Sequence, residues 1–170
     1  MKRKTDADTR AGRLDLLKVK TTAQCLRPLA LDHFGLRDAL QDLLGDWRMR
    51  HPDAGLTLTL NGALEGLDDD LSTAVYRIVQ EAVNNALRHA QASRIEVKVE
   101  ASADSLQLEV SDDGVGHVDQ FHAPGHFGVL GMRERAQALG GSFNLEQIEP
   151  TGARVCVSFP LHSKQESSSN

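Results

Sequence analysis

Glu81 and Asn85 stand four residues apart in the run QEAVNNALRHA, and Arg88 and His89 follow one turn later. On a helix that spacing lays the carboxylate and the amide one above the other. Carboxylate and amide oxygens suit a hard cation such as Mg²⁺, and an arginine beside a histidine suits phosphate. Further on, Asp112 opens the turn Asp112-Asp113-Gly114-Val115-Gly116. A carboxylate next to two glycines can point inward while the backbone turns tightly around a flat ligand. It would then accept from an exocyclic amine, a charge-assisted hydrogen bond worth about 1.5–3 kcal/mol. Gly128 and Gly131 lie three apart in Phe127-Gly128-Val129-Leu130-Gly131-Met132, where a helical pattern begins. Backbone N–H groups at a helix N-terminus form an anion cradle. Taken singly, each signal also describes an ordinary feature: a solvated helix face, a surface turn, a helix start. Their weight comes from their order along the chain.

The first group sits on a stretch from Leu71 to Ala90 that has no Gly or Pro and is rich in helix formers. Val79, Ala82, Val83, Ala86 and Ala90 share one side at the spacing of a buried stripe, with Arg77, Glu81, Asn84, Asn85, Arg88 and His89 on the other. The acidic run Asp68-Asp69-Asp70 ahead of it reads as capping and dipole compensation rather than metal binding. Leu36, Leu40, Leu43, Leu44 and Trp47 mark an earlier amphipathic helix ending near Met49. Leu29 to Gly35 reads as a connection, with Asp32 a candidate N-cap and His33 a loop histidine. Leu56, Leu58 and Leu60 alternate with threonines in a strand closed by Asn61-Gly62. Ile95, Val97 and Val99, then Leu106, Leu108 and Val110, make a hairpin that runs straight into the Asp112 turn. The Gly128 segment opens a helix that continues through Leu139 and ends at Gly140-Gly141. Phe143 and Leu145, and then Val155, Val157 and Phe159, mark two more strands. The expected fold is α/β: a two-layer sandwich in which helices cover one face of a mixed sheet of about five strands. Neither GxGxxG nor GxxxxGK[ST] occurs, which argues against a doubly wound or P-loop arrangement.

A chain of 170 residues has single-domain length. It can bury about 70% of its unfolded surface without a disulfide or metal staple. Cys25 and Cys156 form no CxxC or metal-ligand pattern, so both are expected to be free thiols in a reducing compartment. A net charge of −5 argues against general nucleic-acid binding. No apolar run approaches the roughly 20 residues of a membrane span, and the N-terminus has no signal-peptide pattern. A soluble, cytoplasmic chain without membrane contact is the expectation. Met1 to Arg10 is almost wholly polar. Ala11 to Leu26 reads as a marginal helix with a thin stripe of Leu14, Leu17, Cys25 and Leu26, ended by Pro28. It can dock on the domain or pair with a second copy as a homodimer. The expected division is an arm at 1–28, a folded unit at 29–161 and a disordered tail at 162–170.

The succession QEAVNNALRHA, DDGVG, FGVLGMRERAQALGG and TGARVCVSFPL closely resembles the ATP-binding catalytic domain of two-component sensor histidine kinases. GMRER after the second glycine points to the nitrate-sensor and hexose-phosphate-sensor branch, and the resemblance covers Leu26 to Leu161. That family shares the Bergerat fold of the gyrase, chaperone, histidine-kinase and mismatch-repair ATPases, an α/β sandwich that binds ATP under a flexible lid. The resemblance implies the following roles. Asn85 holds Mg²⁺ bridging the phosphates of ATP, and Glu81 is the catalytic acidic residue one turn before it. Arg88 and His89 lie near the phosphates. Asp112 accepts from the adenine amino group in a pocket shaped by Gly114 and Gly116. His117 to Phe127 form the lid, hinged at Gly128 and Gly131, with Val129 and Met132 also at the nucleotide.

Some positions depart from the family. Asn84 stands where a small or hydroxyl residue is common, and Ala153 follows Gly152 where threonine is usual, with Thr151 a weak substitute. No segment resembles the ERxRIARELHD-like helix that carries the phosphoacceptor histidine, and His33 is not assigned that role. Residues Ala11 to Pro28 resemble only the end of the second dimerisation helix. The implied partners are a phosphoacceptor histidine domain, in cis in a longer parent or in trans, and a response regulator. Such a parent can be anchored in the inner membrane. The rival readings are an ATP-driven conformational switch of the chaperone and mismatch-repair kind, and a serine kinase of the anti-sigma-factor type.

Overall fold

Alternation of apolar side chains builds the sheet. Ile95, Val97 and Val99, then Leu106, Leu108 and Val110, then Val155, Val157 and Phe159 are all buried, every second residue on one face. The computed structural model describes residues 27–115 and 127–162. They form α1 (Leu29–Arg50), β1 (Gly55–Asn61), α2 (Asp69–Arg88), β2 (Arg94–Ala101), β3 (Ser105–Asp112), α3 (Phe127–Ala138), β4 (Ser142–Gln147) and β5 (Ala153–Pro160). The five strands make one mixed sheet in the order β1-β2-β3-β5-β4. β1 and β2 run parallel and are joined through α2, since parallel neighbours need a long crossover. The other pairings are antiparallel.

The helices lie on the apolar face. On the opposite face the sheet carries its own polar contacts, among them Lys98 to Glu96 at 3.3 Å and Gln107 Nε2 donating to Ser158 Oγ at 2.8 Å. This is the two-layer α/β sandwich expected. No helix among the described residues is long and apolar enough to cross a membrane.

α2 is the centre of the helix layer, with Val75, Ile78, Val79 and Val83 fully buried. Its acidic start does what the sequence implies: Asp68 caps the helix, its Oδ1 accepting from Asp70 N at 2.9 Å. α1 packs Leu36, Leu40, Leu44 and Trp47 into the same core. Arg48 of α1 donates from Nε to the carbonyl of Leu56 at 3.0 Å, which ties α1 to β1.

One expectation is corrected here. Leu29 to Phe34 is helical rather than a connection, and only Gly35, with φ +76°, interrupts the helix before it continues to Arg50. Asp32 therefore lies inside the first turn and is no N-cap. Arg27 explains why this turn holds: it pairs with Asp32 at 2.6 Å and with Asp69 of α2 at 2.5 Å, while Leu31 is buried. The marginal helix of Ala11 to Leu26 and the tail from 163 fall outside the described residues.

Candidate functional site

Strand parity places the first candidate side chain. Asp112 is the last residue of β3, opposite Ile95, and continues the inward row of Leu106, Leu108 and Val110. A polar residue thus ends an apolar row and faces the helix layer, while Asp113 faces away. Asp112 Oδ1 accepts from Gly114 N at 2.8 Å. Burial raises the pKa of this carboxyl, and the amides of Gly114 and Ala153 only partly offset the rise.

Asp112 borders a crevice between the sheet and the helices. Ala82, Asn85 and Ala86 of α2 form one wall, with Val129 and Met132 of α3 beside them. Val110, Leu145, Ala153 and Val155 form the floor. The lining is apolar apart from the Asp112 carboxylate and the Asn85 amide. This lining would suit a flat, largely apolar ring, with one charged acceptor for an amine on its edge.

A second, polar crevice adjoins it at Met132, between α2 and the start of α3. Arg77, Gln80 and Glu81 line it from α2, and Gly128, Gly131 and Arg135 from α3. Arg77 donates from Nη1 to Gln80 Oε1 at 2.8 Å. α3 sits so close to Glu81 that a methyl group built on Gly128 would overlap the Glu81 carboxylate. Glu81 and Asn85 are one helical turn apart, and neither side chain has a partner among the described residues. Among those residues no three His, Cys, Asp or Glu side chains cluster as a metal site.

The turn after β3 is held by the neighbouring carboxylate. Asp113 Oδ1 accepts from Ser93 N at 2.9 Å and Arg94 N at 2.8 Å, and Asp113 Oδ2 accepts from Ser93 Oγ at 2.7 Å. Burial pushes the Asp113 carboxyl up, but the hydrogen bonds from Ser93 and Arg94 outweigh it and hold its pKa below the usual range. Behind the turn, Val115 N donates to the carbonyl of Ala90 at 2.8 Å, and Gly114 is packed against Ala90. On the other side Gly152, with φ +125°, presses on the carbonyl of Asp112.

The sequence candidates thus separate into groups. Asn85, Asp112, Val129 and Met132 border the apolar crevice; Glu81, Gly128 and Gly131 border the polar one. Gly114 is buried in the turn behind Asp112 and lines neither crevice among the described residues. Arg88 and His89 are exposed at the end of α2, His89 as its C-cap, and border neither crevice. Of the lid expected from His117 to Phe127, all but Phe127 lies outside the described residues, as does Gly116, and Phe127 is already the first residue of α3. Thr151 is exposed and its hydroxyl donates to the carbonyl of Asp113 at 3.4 Å, so it does not replace the hydroxyl missing at Ala153. Sequence reasoning assigned no role to Ala82, Ala86, Leu145, Val155 or Arg135. Two small residues four apart on the buried stripe were a signal for the trough at Ala82 and Ala86. Nothing local announces Leu145 and Val155.

Residues 70–163 match the model of the family described as histidine kinase-, DNA gyrase B-, and HSP90-like ATPase. The sensor histidine kinase LiaS of Bacillus subtilis (strain 168) is 33% identical over 142 residues, which cover 82% of this chain and 38% of that protein. The oxygen sensor histidine kinase NreB of Staphylococcus carnosus (strain TM300) is 32% identical over 137 residues, covering 80% of this chain and 39% of that protein. The chain therefore spans well under half the length of these curated relatives. Among solved structures, the ATP binding domain of PrrB from Mycobacterium tuberculosis superposes with a TM-score of 0.56 at 25% identity, over 74% of this chain and 93% of that one. The histidine kinase AdeS of Acinetobacter baumannii shares the fold, with a TM-score of 0.63 at 14% identity over 95% of this chain and 88% of that one.

Proposed function

This chain belongs to the family of histidine kinase-, DNA gyrase B- and HSP90-like ATPases, and from that premise we propose that it is the ATP-binding catalytic domain of a sensor histidine kinase. It transfers the γ-phosphate of ATP to a histidine on another segment or chain, for relay to a response regulator. The observation that carries the reading is the apolar crevice with Asp112 at its end and Asn85 on its wall, next to the crevice of Glu81 and the α3 glycines, with Met132 bordering both. In a chain of this family, that reads as a base pocket beside a polar chamber. Residues 29–161 are the catalytic unit. The segment before them contributes to a homodimer, and the parent kinase works at the cytoplasmic side of a membrane.

The donors fit Mg²⁺. Asn85 and Glu81 offer hard oxygens one turn apart, unclaimed by other described side chains, and Mg²⁺ takes one or two protein ligands with phosphate and water completing its shell. When bound, the ion neutralises phosphate charge. The chain supplies the rest by positioning. Asp112 anchors the adenine amine, Val129 and Met132 hold the ring, and the first turn of α3 presents its amides to phosphate oxygens. Glu81 orients the incoming imidazole, whose neutral form is already nucleophilic. Gly114 shapes the turn beneath the base.

A non-hydrolysable ATP analogue titrated with and without Mg²⁺ tests this reading. In Mg²⁺, Asn85→Ala should bind about tenfold or more weakly, close to the metal-free level, with the fold retained. Equal affinity of variant and parent in Mg²⁺ would remove Asn85 from the phosphates. The purified chain given labelled ATP should take up negligible label itself, while an added phosphoacceptor domain is labelled.

Gly128→Ala gives a sharper test of Glu81. The methyl group meets the end of a flexible side chain, so Glu81 swings aside rather than the backbone moving. Stability should hold or rise, since alanine for glycine within a helix is worth about 0.5–1 kcal/mol. Phosphoryl transfer should fall about tenfold or more, because a misdirected group near the reacting atoms is costly. Full transfer activity would show that the Glu81 position is not critical.

A further inference from the structure

We propose that Asp113, which points away from the crevice, is a positioning residue that sets the base selectivity of Asp112. The proposal rests on the reading of Asp112 as the acceptor for the adenine amine. A residue at the very end of a strand has no following ladder to hold it, so its direction depends on what fixes the turn beyond it. Here the turn is fixed from the side of β2. Asp113 spends both carboxylate oxygens on the first residue of that strand and the one before it, taking three hydrogen bonds of 2.7–2.9 Å from Ser93 and Arg94.

Ser93 is itself anchored, since its carbonyl accepts from Gly55 N at the start of β1 at 2.8 Å. Asp113 N donates back to the carbonyl of Arg94 at 3.2 Å. The Asp113 side chain therefore joins the start of β2 to the end of β3, and the backbone of Ser93 links the start of β1 to the same point. These bonds restrict backbone rotation at Asp112 and Asp113. The Asp112 carboxylate stays on the amide of Gly114, facing the crevice. Its depressed pKa keeps Asp113 ionised, and so a full acceptor, at neutral pH. Adjacent carboxylates thus divide the work: one meets the base, and the other holds the first at the required angle.

The test compares ATP with ITP, whose base carries a carbonyl in place of the exocyclic amine, by calorimetric titration of the full chain. The parent protein should prefer ATP, and Asp112→Asn should lose that preference. Asp113→Ala should weaken ATP about tenfold while ITP changes little, so the ratio collapses toward one. Asp113→Asn should restore the ratio, because its amide oxygen still accepts from both backbone N–H groups and its nitrogen donates to the Ser93 hydroxyl. Ser93→Ala, a milder change that keeps the backbone bonds, should lower the ratio about threefold. A clamp serving stability alone would lower the melting temperature of Asp113→Ala or Ser93→Ala and leave the ATP to ITP ratio of the parent, which would overturn the proposal. If the parent does not discriminate and Asp112→Asn binds ATP normally, the adenine reading itself fails, and the proposal with it.

Discussion

Asp112→Asn should bind ATP about tenfold or more weakly, and the same variant, free of nucleotide, should melt higher than the parent at neutral pH. Both effects come from one buried charge. In the complex the ionised carboxylate gives the adenine amine a charge-assisted bond, which a neutral amide cannot match. In the free protein burial raises the Asp112 pKa, so the folded state binds that proton more tightly than the unfolded chain does. Folding then loses stability as pH rises through the raised value, and the penalty vanishes below the ordinary carboxylate range. Asparagine carries no charge to desolvate, and its oxygen can still accept from Gly114 N. The stability gain should therefore be present at pH 7 and shrink on acidification, and ATP affinity of the parent should fall over the same window.

Calorimetric titration and thermal melts across pH 4–8 would measure both. Unchanged affinity would take Asp112 out from under the base. A lower melting point for the variant would mean that the bonds from Gly114 and Ala153 outweigh burial. Asp113 has the opposite sign: its lowered pKa contributes stability above the ordinary carboxylate range, and that contribution fades as pH falls through the depressed value.

Gly152→Ala, at the turn that packs against the end of β3, should be strongly destabilising. Its φ of +125° is a conformation that side chains resist. The new carbon would also overlap the carbonyl oxygen of Asp112 and lie 3.1 Å from its carbonyl carbon and 3.3 Å from the Cα of Asp113. These are backbone atoms held by sheet pairing and by the Ser93 clamp, so they cannot give way as the Glu81 side chain can. Backbone strain of about 1–3 kcal/mol and overpacking of a similar size add up to a loss of roughly 2–6 kcal/mol. That is a large part of the 5–15 kcal/mol typical of a domain. Gly131→Ala is the control: open space surrounds the position, so it should fold as well as the parent. Urea denaturation of the two variants checks this. A loss below about 1 kcal/mol for Gly152→Ala would mean that the β5 turn yields and the end of β3 is not confined.

Much of this was readable from residue spacing. Alternation in β2, β3 and β5 separated the inward rows from the outward ones, and the same parity distinguishes Asp112 from Asp113. Helical periodicity put Asn85 and Glu81 on the less buried side of α2, and Asp68 announced its cap. Pro28 and Gly35, which look like breaks, concealed the turn Leu29–Phe34, because its anchor is the distant Asp69.

Arg88 and His89 show the same limit. Periodicity gives their direction on α2 but not where the neighbouring elements stop, and both emerge beyond the two crevices. Leu145 and Val155 reach the crevice floor only because β5 enters the sheet between β3 and β4, against the order of the chain. Local spacing determined which side of each element a residue occupies, since that depends on backbone geometry alone. Which elements meet, and so which residues surround the crevice, was decided in three dimensions, where all the apolar faces had to be buried at once.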